Sequence, residues 1–191
     1  MTHAGKDEER NLAAGEAGAG IALPGGGRLS LRAVGPGDEE FLLAVYASTR
    51  EQELAQVNWP EEMKQAFLRQ QSDAQRREYE SRYPDAEYDV ILLDGRPAGR
   101  LWIGRDDEQI RLLDIALLPD AQGRGVGAAL VTRLVEEARA TGKRLRHMIF
   151  IMNEGARRFY ERHGFVVFEE VGGAYLHMEW RGGGGDAAPT P

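Results

Sequence analysis

Apolar and polar positions change period along the chain, and each change marks an element. "RLSLRAV" (28–34) alternates, with Leu29, Leu31 and Ala33 on one side, as a half-buried strand does. "GPGD" stops the alternation, and Asp38 stands as N-cap before a helix carrying Phe41, Leu42, Val45 and Tyr46. A second helix follows Pro60, a residue suited to a first helical turn, and runs to about Tyr83. Its apolar content is thin: Met63 and Phe67 sit four apart, but the second half is mostly Gln, Arg and Glu, so it covers only part of a core.

Three strand patterns come next in close succession, "YDVILL", "RPAGRLWIG" and "QIRLLDIALL". Asp94-Gly95 between the first two is a strong hairpin signal, and "RDDE" makes a looser second turn, so an antiparallel meander is predicted. After the third strand, "LLPDAQGRGVGAAL" (117–130) leads into a helix in which Leu130, Val131, Leu134, Val135 and Ala138 recur at helical spacing and Gly142 ends the run. "RLRHMIFIM" reads as a strand, "NEGARRFYERH" as a short helix closed by Gly164, and "FVVFEEV" and "AYLHMEW" as the last strands. A helix joins the third meander strand to "RLRHMIFIM", which makes those two the expected parallel neighbours. The predicted order is β, α, α, β, β, β, α, β, α, β, β.

Length and charge narrow the class. With 191 residues and 42% hydrophobic content the chain suits one domain with a real core. Residues 1–27 and 182–191 are rich in Gly, Ala and charge and have little bulk to offset the entropy of ordering, so both are expected to be disordered tails around a body at 28–181. The tails account for -3 of the net charge of -7, and a body near -4 argues against binding nucleic acid through bulk charge. There is no cysteine, hence no disulfide framework, thiolate metal site or cysteine nucleophile. No apolar run suits a signal peptide or a membrane span, so a cytoplasmic protein without membrane contact is expected, as monomer or homodimer.

The chemistry centres on the glycine loop. "GRGVGA" also fits G-x-G-x-x-A of a dinucleotide fold, but Pro119, Asp120, Ala121 and Gln122 separate it from the strand, the strands before it read as hairpins, and no acidic residue closes the next strand. A Walker loop fails for want of Gly-Lys-Ser/Thr. What remains is an anion site: bare backbone N–H groups at a helix N-terminus, with Arg124 adding a cation. A plain strand-to-helix turn is the bland alternative.

"QGRGVG" resembles the Q/R-x-x-G-x-G/A signature of the GNAT superfamily of acyl-CoA N-acyltransferases, and "NEGARRFYERHGF" resembles that family's second motif. The resemblance spans roughly 28–181. It implies an α+β (mixed α/β) fold: a central, mixed, mostly antiparallel sheet with a parallel strand pair splayed around CoA, flanked by four helices. It implies acetyl-CoA as cosubstrate and no metal, with the pyrophosphate on the backbone of Gln122, Gly123, Arg124, Gly125, Val126, Gly127 and Ala128. The pantetheine arm would pair with backbone near Ile115 and Leu117. Helix geometry puts Asn153, Ala156 and Tyr160 on one stripe. By resemblance Tyr160 protonates the departing thiolate, Ala156 leaves room for the ligand, and Asn153 contacts the arm or a water; packing with Phe159 and Phe165 is the other reading of Tyr160.

A base is harder to find. Arg111 stands where relatives often carry Glu and cannot serve as one. Asp114 is the only carboxylate inside an apolar strand segment, so it is either functional or a structural acceptor, and a bulge near it would decide its facing. Glu53, Glu87 and Tyr88 are lesser candidates. His3, His147, His163 and His177 show no metal-ligand spacing and read as surface or internally satisfied. The acidic clusters "DEE" and "EEMK" read as solvated helix faces or, alternatively, as walls of a site for cationic amines. The leading expectation is direct acetyl transfer from acetyl-CoA to a primary amine of a small molecule or peptide; a CoA-binding module without turnover is the alternative, and a dinucleotide enzyme a third.

Overall fold

The computed structural model describes residues 20–181. The elements are β1 (Ile21–Ala22), β2 (Arg28–Ala33), α1 (Glu39–Leu54), α2 (Glu61–Arg82), β3 (Glu87–Leu93), β4 (Arg96–Arg105), β5 (Gln109–Leu117), α3 (Val126–Thr141), β6 (Arg144–Phe150), α4 (Glu154–Arg162), β7 (Phe165–Val171) and β8 (Tyr175–Trp180), with a 3-10 turn at Pro119–Ala121. One sheet of eight strands runs β1-β2-β3-β4-β5-β6-β8-β7. Only β5 and β6 pair in parallel, because α3 carries the chain back across the sheet between them. This is the mixed, mostly antiparallel sheet with four helices that the pattern predicts.

Local chemistry explains the turns. Asp94 and Gly95 both take positive φ (52° and 75°), as a tight turn matching strand twist requires. Asp38 does occupy the N-cap of α1, yet its carboxylate does not cap it. It turns back to accept from the Gly35 N–H at 2.7 Å and from both terminal nitrogens of Arg32 at 2.7 and 2.8 Å. Those bonds hold its carboxyl down at about 2.

The body starts earlier than composition suggests. Ile21 and Ala22 pair with Leu29 and Arg28, and Leu23 is buried in the core beside Leu29 and Leu93. β1 and Leu23 thus lie within the stretch that composition reads as tail: one buried leucine and a short strand outweigh the glycines around them. The remainder of both expected tails, 1–19 and 182–191, lies outside the described residues.

The sheet has two differently used faces. On one, Leu101 and Ile103 of β4, Leu112 of β5 and Leu145 of β6 pack with Leu130, Val131 and Leu134 of α3 in the main core. On the other, Val45 and Tyr46 of α1 are buried with Val90 and Trp102 as a smaller second layer. α2 contributes no buried residue, which is the thin covering its sequence predicts. No helix among the described residues is long and apolar enough to cross a membrane.

Candidate active site

β5 and β6 part company midway. Their pairing runs from Gln109↔Arg144 to Leu112↔His147 and stops. Beyond it β5 continues only against β4, while β6 continues against β8. A fork therefore opens between Asp114–Leu117 and Met148–Phe150. At its apex His147 Nδ1 stands 2.7 Å from the Leu112 carbonyl oxygen. Since a carbonyl only accepts, Nδ1 carries the hydrogen. Burial pushes the His147 imidazole down to about 4, so it is neutral. The expectation of an internally satisfied histidine fits this bond, but its place at the fork was not legible.

The glycine loop lies at the open end of the fork. Gly123 and Gly125 have φ of 71° and 83°, and Gly125 is the residue from which α3 starts, with no side chain capping that end. The first bond into the helix is Ala129 N–H to Gly125 O at 3.0 Å, so the N–H groups of Val126, Gly127 and Ala128 have no intrahelical acceptor. A Cβ on Gly123 would meet nothing within 4 Å: the loop faces open space. Exposed Arg124 stands 3.7 Å from Asp94, a loose pair that leaves it a mobile cation. Gln122 donates its side-chain amide to the Leu117 carbonyl at 2.9 Å, tying the loop to the strand and occupying one of the groups expected for the pantetheine arm.

α4 supplies the third part. Asn153 caps this helix, its Oδ1 accepting from the Ala156 N–H at 3.0 Å, a structural duty beyond the expected one. Two turns on, Tyr160 is 3% exposed, with its ring 4.5 Å from that of His147, 5.1 Å from Phe159 and 5.3 Å from Phe165. Burial, and then the charge of Asp114, push its phenol well above the usual tyrosine range, so it keeps its proton. Tyr160 is thus packed among aromatic rings and holds a protonated phenol.

Asp114 reaches the site through a bulge. Trp102 pairs with Asp114 but Ile103 with Leu112, leaving Leu113 as an extra residue. The slip moves the core-facing set from Ile110 and Leu112 to Ile115 and Leu117, and turns Asp114 to the face of α1 and α2. The freed Leu113 carbonyl accepts from the Tyr79 hydroxyl at 3.2 Å. Asp114 Oδ2 accepts from Arg100 Nε at 2.7 Å, and Arg100 Nη2 donates to Gln75 at 2.9 Å. Arg100, 4% exposed, is the residue that strand reading missed. Its signal was present, a lone charge in the apolar run "AGRLWIG", the same signal that singled out Asp114.

A cleft of about 210 Å³ opens on this face between α1, α2 and β4, with Trp102, Tyr88 and Arg100 in its wall. Of the lesser base candidates only Tyr88 lies there, its ring stacked on Trp102 at 4.0 Å. Glu53 instead pairs with Arg50 on the exposed side of α1, and Glu87 with Arg105. Arg111 donates to the Tyr83 hydroxyl at 3.0 Å. No group of three or more His, Asp or Glu among the described residues is placed to hold a metal ion.

Known proteins share this fold. Residues 45–165 match the model of the Acetyltransferase (GNAT) family. The uncharacterized N-acetyltransferase MJ1207 of Methanocaldococcus jannaschii is 34% identical over 97 residues, covering 47% of this chain and 42% of the relative. The uncharacterized N-acetyltransferase CgeE of Bacillus subtilis is 27% identical over 100 residues, covering 47% and 39%. The match thus spans about two-fifths of each relative's length. Among solved structures, the PaiA N-acetyltransferase of Thermoplasma acidophilum in complex with coenzyme A aligns over 80% of this chain and 98% of its own, with a TM-score of 0.60 at 19% identity. An acetyltransferase of Thermus thermophilus aligns over 79% and 95%, with 0.58 at 23%. At such identities the structural likeness is one of fold.

Proposed function

The chain belongs to the Acetyltransferase (GNAT) family, and from that premise we propose that it transfers an acetyl group from acetyl-CoA directly to a primary amine. One observation carries the reading: a bare glycine loop at the start of α3 opens onto the fork between β5 and β6, with a protonated Tyr160 at the fork's inner end. The residues fit the ligand. Backbone N–H groups from Gly123 to Ala128 suit a pyrophosphate, that of Gln122 being given to the Pro119 carbonyl at 3.3 Å; Arg124 adds a cation at the mouth, and small Ala156 leaves the stripe between Asn153 and Tyr160 open. Ile115 and Leu117 offer backbone along the fork, Leu117 with its carbonyl already bonded to Gln122.

Acetyl-CoA supplies the activated acyl group as a thioester. As the amine nitrogen forms its bond to the acyl carbon, the carbon–sulfur bond breaks, and Tyr160 gives its phenolic proton to the sulfur. Tyr160 is suited to this because a phenol held neutral can act as an acid at ordinary pH. The amine's proton goes to Asp114, directly or through water. Arg100 fixes Asp114 by one oxygen, and the other has no partner among the described residues. Without cysteine, no thiol-borne acyl-enzyme is available.

The test is ligand-induced thermal stabilisation of the wild type and Gly125→Asp, each against its own unliganded Tm. Acetyl-CoA at about 100 times its Kd stabilises a binder by about 2.7 kcal/mol, whereas NAD is expected to do nothing. Gly125→Asp places a carboxylate where the phosphates meet backbone, and its acetyl-CoA shift is expected to vanish. An undiminished shift in the variant excludes the loop as the site.

A further inference from the structure

We propose that the uncovered face of β6, β8 and β7 is where a second copy of this chain docks, sheet against sheet about a two-fold axis. Of the eleven large apolar residues exposed among the described residues, eight lie between Met148 and Tyr175. Strand alternation and pairing put six of them on one side. Leu145 and Ile149 of β6 and Leu176 and Met178 of β8 point into the main core, so Met148, Phe150 and Tyr175 point the other way. The rings of Phe150 and Tyr175, directly opposite in the register, lie 5.9 Å apart. On β7, Val166 and Val171 oppose Glu179 and Tyr175 and so share that side. Phe168 reaches it too, with the Arg146 guanidinium 4.7 Å from its ring centroid. α1 packs on this side of the sheet against β4 and β5, and the six side chains beyond it are left 37% to 48% exposed.

Size and charge both fit the face to its own copy. At that exposure the six side chains present on the order of 500 Å². A stable interface removes about 800 Å² from each partner, roughly 60% of it apolar, so the face supplies the apolar share of one such patch. A two-fold contact sets like on like, and an unanswered charge at its centre would meet its own repeat. Here the polar groups among the apolar ones answer each other within the chain. Arg146 bonds Glu179 at 2.7 Å, and His177 Nδ1 stands 3.1 Å from a Glu169 oxygen. A lipid surface is the poorer fit, since a chain of net charge -7 is repelled by anionic headgroups. The chain's own residues outside those described, 1–19 and 182–191, are no better suited, holding two large apolar residues between them, Met1 and Leu12. Nor is the free edge of β7 the docking element. It bulges at Phe168 and carries Glu169 and Glu170, features that blunt an edge against strand addition. The copies therefore meet by their faces, about 10 Å apart as packed sheets are.

The experiment is sedimentation velocity on the full chain from about 0.1 to about 100 µM. Interfaces of this size hold with Kd in the micromolar range or below, so the wild type is expected to sediment as a dimer at the upper end. Phe150→Glu and Val171→Glu each put a charge into the proposed contact. Each is expected to raise the dimer Kd by at least about thirtyfold, the loss typical of a hot-spot side chain. Both positions are exposed in the single chain, so circular dichroism is expected to show the fold unchanged. Met63→Glu, exposed on α2 away from the face, is expected to leave the Kd within about twofold of wild type. A wild type that stays monomeric up to about 100 µM overturns the proposal. Flotation of such a monomer with phosphatidylcholine and phosphatidylglycerol vesicles names a lipid surface as the occupant instead. A dimer whose Kd neither Phe150→Glu nor Val171→Glu moves also overturns it, by placing the contact elsewhere on the chain.

Discussion

Tyr160 is packed as part of the structure, and the proposed chemistry calls on the same side chain. Its ring fills the gap between His147, Phe159 and Phe165, and its hydroxyl keeps its proton because burial disfavours the phenolate. Tyr160→Phe preserves the ring and removes only the proton. The expected outcome is acetyl-CoA affinity within about twofold of wild type and a kcat lower by roughly 10²- to 10⁴-fold, the range of general acid catalysis. Kinetics with an acceptor under which chemistry limits the rate check this, and turnover within about twofold of wild type assigns the ring to packing alone. That Tyr160 shares a stripe with Asn153 and Ala156 was legible because such spacing is a property of any helix, while its role as an acid rests on the family resemblance. Asp114 was legible as a charge that needed a partner. The partner was not: Arg100 lies on another strand, and only pairing brings it within 2.7 Å.

At the scale of elements, β1 and β5 depart furthest from what pattern predicts. β1 is two residues long inside a glycine-rich stretch, yet Leu23 just after it is 5% exposed and lies in the main core. Truncating a buried leucine leaves a cavity, so Leu23→Ala is expected to cost about 2–5 kcal/mol in urea unfolding. A loss below about 0.5 kcal/mol, typical of surface positions, shows that the segment does not anchor there. In β5 the sequence "QIRLLDIAL" permits either facing of Asp114. The choice is made by the bulge at Leu113, which Tyr79 of α2 holds by its carbonyl. Because a one-residue slip exchanges faces, the bulge determines whether Asp114 meets the core or the cleft.

For the whole molecule, the two-faced sheet sets the glycine loop apart from the cleft of α1 and α2, and His147 is held neutral at the fork apex. This has a sign in stability. His147 titrates at about 4 in the folded protein against 6.5 ordinarily, so between those values the unfolded chain binds more protons and stability falls as pH falls. Above about 6.5 the residue is neutral in both states and contributes no slope. Asp38, held at about 2 against 3.8, adds a loss of the same sign at lower pH. His147→Gln keeps a donor for the Leu112 carbonyl and removes the titration. Thermal unfolding between about pH 7 and 4.5 is expected to show a shallower decline for this variant, and parallel curves would show that His147 is not the group responsible.

Sequence by itself determined the order of elements from β2 to β8, the turn at Asp94-Gly95, the bare loop before α3 and the stripe on α4. All of these depend on neighbours within a few residues, through backbone geometry and side-chain period. Tertiary structure alone decided where the parallel pair stops, which way Asp114 faces, that Arg100 stands beside it, and that the buried Trp102 N–H is left without a partner. The physical reason is common to all four. Each is an exchange of hydrogen bonds or charge between segments distant in the chain, set by register and packing, and local pattern carries no term for the partner.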